Sequence, residues 1–208
     1  MEILNIQRTE ERKKAIELCK NLLEKHALVP VVGAGFSFDT PTDNGGTVPS
    51  AGDLHAKLFC YVEQYSGYSK KELEEIKEYN LSKLAETFWN IYGKVPEEGL
   101  RAFYGYIESN FQNISYQKDF QKAFLKVRWP YVFTLNYDSL IEDYSRDYYP
   151  VIPYDPINRH FSRDKINVYK LHGDAKKYVD TEDRRYFILS KDQYIDSMMD
   201  DQNQDMLS

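Results

Sequence analysis

Three short stretches of this chain carry residue types that could do chemistry. Gly33-Ala34-Gly35-Phe36-Ser37 follows the apolar run Leu28-Val29-Pro30-Val31-Val32. A buried strand that breaks into two glycines one residue apart lets the backbone turn tightly and approach a ligand where a Cβ would collide. Free N–H groups in such a turn, backed by a helix N-terminus, suit phosphate oxygens. Taken alone, the pattern fits a plain tight loop equally well. Asn136-Tyr137-Asp138 follows a second strand-like run, Pro130 to Leu135. A carboxamide at a strand end can fix a ribose hydroxyl, an amide or a water. Asp138 or Ser139 could instead cap the next helix, and Ser139 with Glu142 has capping-box spacing. His172-Gly173-Asp174 closes a third run, Ile166 to Leu171. An imidazole held there can serve as a general base near neutral pH, with Gly173 keeping space open beside it. A structural role for His172 is the alternative. Asp174 would orient the imidazole or simply open a turn.

The elements that must position these residues alternate between strand and helix. Ala15, Ile16, Cys19, Leu22 and Leu23 recur at helical spacing, which predicts an amphipathic helix over 10–26 packed on the sheet. His26 sits at its end, where a cation is favourable. After the glycine turn, the polar loop from Asp39 to Thr47 is expected to be mobile, a candidate lid. Val48-Pro49-Ser50 opens a helix that buries Leu54, Leu58, Phe59 and Val62, and His55 within it has no evident partner. Asp53 follows Gly33 at the spacing of a ribose-binding acid, but it falls in a helical first turn. Phe38 also replaces the third glycine, so the stretch is a poor match to a dehydrogenase fingerprint. Ser69 and Glu72 start a long helix to about Gly93, and two more follow over 96–113 and 115–127. These helices read as a lobe, about 64–128, inserted into a single domain spanning 1–208. Further strands are predicted at 130–135, 148–152, 166–171 and 185–189, with a helix behind the second strand from Ser139 to Arg146 and a last helix over 190–199. His160 falls in a proline-bearing polar loop. Each candidate segment thus stands just after a strand, where open α/β sheets bind ligands.

Composition narrows the function classes. Lys and Arg number 27 against 33 Asp and Glu, a net charge of −6, which argues against a dedicated nucleic-acid surface. Two cysteines, Cys19 and Cys60, cannot build a four-cysteine zinc module, and no metal ligand set is expected. The 18 tyrosines and 11 phenylalanines point to aromatic-rich packing. No run has the length of a membrane span and the start lacks signal-peptide character, so a cytoplasmic protein is expected.

The three segments together, in this order and at strand ends, resemble the sirtuin-like superfamily, especially its bacterial branch of NAD-cleaving antiphage effector domains. Val48-Pro49-Ser50 with its helix also resembles the segment after the glycine loop in that branch, and the resemblance runs from about Leu28 to Tyr194. It implies a Rossmann-like α/β fold, a mostly parallel sheet flanked by helices with a helical insertion. By position within the motifs, Gly33, Ala34, Gly35, Phe36 and Ser37 would form the pyrophosphate cradle. Asn136 would hold the nicotinamide ribose and the attacking water, Asp138 would face the nicotinamide, and His172 would be the general base. NAD would be a substrate, cleaved between nicotinamide and ribose, with no cofactor and no zinc. Protein deacylases of the superfamily usually carry a zinc module that this chain lacks. Relatives also continue into a further strand, expected here beyond the chain's end. Control by a homo-oligomer or by an attached or partner sensor domain is implied. The other readings are a non-catalytic module binding NAD or ADP-ribose, and a zinc-free deacylase.

Overall fold

The structure is a computed structural model that describes residues 9–155 and 162–200; His160 and the residues after Asp200 lie outside these. Four parallel strands form one sheet in the order β1-β2-β4-β3: β1 Val31–Val32, β2 Tyr131–Thr134, β3 Tyr148–Val151 and β4 Ile166–Lys170. Helices flank it, so the expected α/β class and parallel sheet are what the chain forms. Among the described residues β1 is an edge strand with Val31 65% exposed, not the buried strand its apolar run implies. Helix α1, Thr9–Glu24, ends in a Schellman-type cap: His26 has φ 51, and the His26 and Ala27 N–H groups bond the Leu23 and Leu22 carbonyls. Its apolar stripe is only partly covered. Leu23 packs on the sheet-side core, while Ile16, Leu18 and Cys19 stay exposed.

Helix α2, Ala51–Tyr65, starts at the Ser50–Asp53 capping box and buries Leu54, Leu58, Tyr61 and Val62. The long helix expected from Ser69 is two. Helix α3, Lys70–Lys77, opens on the Ser69–Glu72 box, and α4, Leu81–Ile91, starts afresh at Asn80, whose side chain accepts from Lys83 N. Helices α5, Glu97–Phe111, and α6, Asp119–Leu125, complete the lobe, α6 being shorter than its sequence pattern suggests. Helix α7, Leu140–Tyr144, follows β2. The charged turn after His172 is in fact α8, Ala175–Thr181, capped by Asp174. The strand expected at 185–189 does not form. A 3-10 turn spans Arg184–Tyr186, only Phe187 bridges, to Gly173, and Gln193 Nε2 occupies the Arg184 and Phe187 carbonyls. Helix α9, Lys191–Met199, follows.

Two cores result. One joins α2, α4, α5 and α8 around Leu58, Phe88, Phe103 and Tyr178, and the other packs Ile114, Leu125, Val132, Leu140 and Val168 on the sheet. The loop expected to be a mobile lid is fastened down. Asp43 N bonds the Asn113 carbonyl, Thr42 Oγ1 the Ser109 carbonyl and Asn44 Nδ2 the Glu108 carbonyl. Each anchor lies at or just beyond the C-terminal end of α5, where helix carbonyls lack internal partners.

Candidate active site at the strand ends

Strand register brings the three segments together. Val32 pairs with Thr134 and Thr134 with Lys170, so Ala34, Asn136 and His172 each stand two residues beyond one row. The ladder runs on through Leu135 N to Val32 O and Leu171 N to Thr134 O. All three segments therefore meet at the carboxyl edge of β1, β2 and β4.

At β1 the chain leaves through Gly33 in extended conformation (φ −131, ψ −172) and makes a single 3-10 turn, Ala34–Phe36, rather than the start of a long helix. A Cβ on Gly33 or Gly35 would meet no atom within 4 Å. The glycines are thus not required by the chain's own packing, and Ala34 and Gly35 lie exposed at the edge. Phe36 anchors the turn against Phe124 and Phe120, ring centroids 4.9 and 6.0 Å away. Gln121, fully buried, donates to the Phe36 carbonyl at 2.6 Å, and Lys118 Nζ reaches the Phe38 carbonyl. Gln121 was not legible as a site residue, although a glutamine in the apolar stripe of α6 is the trace it leaves.

Ser37 turns inward and is 1% exposed. Its hydroxyl accepts from Asn136 Nδ2 at 2.9 Å and donates to Asp138 Oδ1 at 3.0 Å. Asn136 N bonds Thr134 Oγ1, and Leu140 N bonds Asp138 Oδ1, so both ends of this chain of bonds are held by backbone. Burial raises the Asp138 carboxyl above its ordinary value, opposed by the charge of Lys170 and by the Ser37 bond. The Ser139–Glu142 box does not form: Ser139 Oγ bonds Asp143, and Glu142 turns towards Lys170.

His172 is half-buried, its ring 6.1 Å from that of Tyr137 and 6.2 Å from that of Tyr194. Burial lowers its pKa below the ordinary 6.5 despite a bond to the Leu135 backbone, so the neutral imidazole prevails at pH 7. Gly173 does not hold space open. Its φ is +89, and a Cβ would lie 2.2 Å from the Tyr186 carbonyl oxygen, so the turn itself requires glycine. Asp174 opens α8, accepting from Lys177 N, and pairs with Lys170 at 2.6 Å.

A small cavity of about 70 Å3 opens at this edge, walled by Ala34, Asn136, Tyr137 and Asp138, with Leu54 and Phe111 also lining it. Ser50 and Ala51 bring the N-terminus of α2 to the same wall. His172 adjoins it behind the Tyr137 ring, which is fixed by a 2.7 Å bond from its hydroxyl to the Ile188 carbonyl. Among the described residues no group of three His, Cys, Asp or Glu is placed to hold a metal ion, and no helix is long and apolar enough to cross a membrane.

Residues 130–208 match the family model described as a SIR2-like domain. The match contains Asn136, Asp138 and His172, and the glycine turn lies outside it. No curated protein matches the chain.

Proposed function

We propose that this chain, which carries a SIR2-like domain over residues 130–208, is an NAD glycohydrolase. The observation that carries the reading is the register of Ala34, Asn136 and His172 at one sheet edge. It puts the glycine turn, Asn136 and His172 at the ends of three neighbouring strands. The SIR2-like family supports NAD as the ligand. The open space over Gly33 and Gly35 leaves room for a pyrophosphate against the backbone.

In this reading nicotinamide leaves as a neutral base from a cationic ring, so the bond to ribose C1 is already weak. The site has mainly to position the ribose and stabilise the oxocarbenium-like centre. Asn136, held by Ser37, orients the ribose and a water. The buried Asp138 carboxylate lies on the nicotinamide side. The water oxygen bonds to C1 as the C–N pair departs with nicotinamide, and His172 takes the water's proton. The products are nicotinamide, ADP-ribose and one proton. Loss of NAD kills a cell, so the activity suits an effector of antiphage defence, held off by oligomerisation or by a sensor domain until triggered.

A second reading has one observation in its favour: His172 stands behind Tyr137 rather than on the pocket wall. A module that binds NAD or ADP-ribose without cleaving it would need Asn136 but not His172. Nicotinamide release by wild type, Asn136→Ala and His172→Ala, with ADP-ribose titrated into each, separates the two. The hydrolase requires release by wild type and loss in both variants, with ADP-ribose binding kept in His172→Ala. ADP-ribose binding by the wild type with no nicotinamide release from it selects the module, and turnover of an acetyl-lysine peptide would select a deacylase.

A further inference from the structure

Beneath the pocket lies a charged side chain that the mechanism above leaves unused. Lys170, the last residue of β4, is fully buried. Its Nζ lies 2.6 Å from the Asp138 carbonyl and 3.3 Å from that of Tyr137. On its other side are Asp174 Oδ2 at 2.6 Å and Glu142 Oε1 at 3.3 Å. Four acceptors thus surround a group with three donors. Neither Glu142 oxygen has a hydrogen-bond partner, so Glu142 attracts the ammonium by charge alone. An ammonium out of water is costly unless paired and bonded, and an apolar residue would fill a buried strand position without that cost.

What the lysine adds is a connection. The carbonyls of Tyr137 and Asp138 belong to the loop that follows Asn136, and Asp174 belongs to the loop that follows His172. Further ties between these segments are the 3.0 Å bond from Ala175 N to the Tyr137 carbonyl, the contact of the Tyr137 and His172 rings at 6.1 Å and the His172 bond to the Leu135 backbone, and none of them carries charge. The geometry points to Lys170 as a positioning residue that holds Asn136 and His172 in one relative arrangement for cleavage of NAD. This inference rests on the hydrolase reading for its kinetic consequence and on the loop geometry for its structural one.

The test uses Lys170→Met, which keeps length and removes the charge, and Asp174→Asn, which keeps the cap of α8 and weakens the hold on the ammonium. The second variant serves if the first fails to fold. Three quantities are measured: kcat and KM for nicotinamide release, the affinity for ADP-ribose, and the 15N resonances of the His172 imidazole. Displaced groups lower kcat by about 100-fold in Lys170→Met and by less in Asp174→Asn, with a much smaller rise in KM. ADP-ribose affinity falls far less than kcat, and the His172 resonances shift or split. Folded variants with wild-type kcat and unmoved His172 resonances would overturn the inference. Loss of ADP-ribose binding in step with kcat would overturn it too, since that marks general structural damage. A wild-type chain that releases no nicotinamide sinks the hydrolase reading alone. The His172 resonances then still decide whether Lys170 positions the loop.

Discussion

Ser37 makes two hydrogen bonds of opposite sense, accepting from Asn136 and donating to Asp138. Ser37→Ala removes both and leaves two buried polar groups short of a partner, a cost of about 1–3 kcal/mol. The urea midpoint should fall accordingly and nicotinamide release should drop further than the loss of folded protein explains; an unchanged midpoint would contradict the network. The Ser37 side chain is an example of what sequence does not show. Its type and place beside the glycines suggest a phosphate, while its partners lie 99 and 101 residues away. Lys170 left a fainter trace, a lysine two residues after Val168 on the buried side of its strand. Glu142 has the opposite history, because its expected cap partner Ser139 bonds Asp143 instead. Burial, against the attraction of Lys170, raises its carboxyl from the ordinary 4.5 to about 7. Between these values the folded chain binds more protons than the unfolded one, so this group's contribution to stability is full below 4.5 and lost as the pH rises through 7. Glu142→Gln should therefore raise the melting temperature more at pH 8 than at pH 5. An equal or larger gain at pH 5 would count against that assignment. For His172, lowered by burial, the acid limb of kcat/KM should have an apparent pKa below 6.5. A limb above that value would mean that another group titrates.

At the scale of elements, local chemistry was readable where partners are near in sequence. The Ser69–Glu72 box forms as its spacing implies, while the Ser50–Asp53 box at the start of α2 is a feature that only the structure shows. The break at Asn80 was missed because the apolar stripe continues across it, although Asn80 is itself an N-cap residue type. The failed strand at 185–189 has the right side chains, but Gln193 takes carbonyls that a sheet partner would need. The loop from Asp39 to Thr47 looked free because its anchors lie in α5, more than sixty residues on. Thr42→Val, which strips the bonds to the Ser109 carbonyl and from Gly46 N, should cost about 1–3 kcal/mol in chemical unfolding. A loop that behaves as a free lid would leave stability unchanged. The glycine turn predicts the reverse. Gly35→Ala meets no atom of the chain and should fold as well as wild type or slightly better. Its ADP-ribose affinity should still fall by about tenfold or more, a loss of at least about 1.4 kcal/mol. Unaltered affinity would remove the turn from the site.

Across the whole molecule the pocket lies where the two cores meet, with Leu54 and Phe111 from the helical side and Val48 from the sheet side. That seam was only half legible. A parallel sheet places the carboxyl ends of all its strands on one edge, so three strand-end segments could be assigned to one site before any coordinates. Which helices close the pocket depends on packing of α2 and α5 against the sheet, and no local pattern encodes it. The central claim is that this edge hydrolyses NAD. Its most direct test is mass analysis of both products after incubating the wild-type chain with NAD in 18O-labelled water. Nicotinamide and ADP-ribose in equal amounts, the latter with one 18O at ribose C1, is the predicted result. NAD recovered intact, or a cyclic product without label, would contradict it.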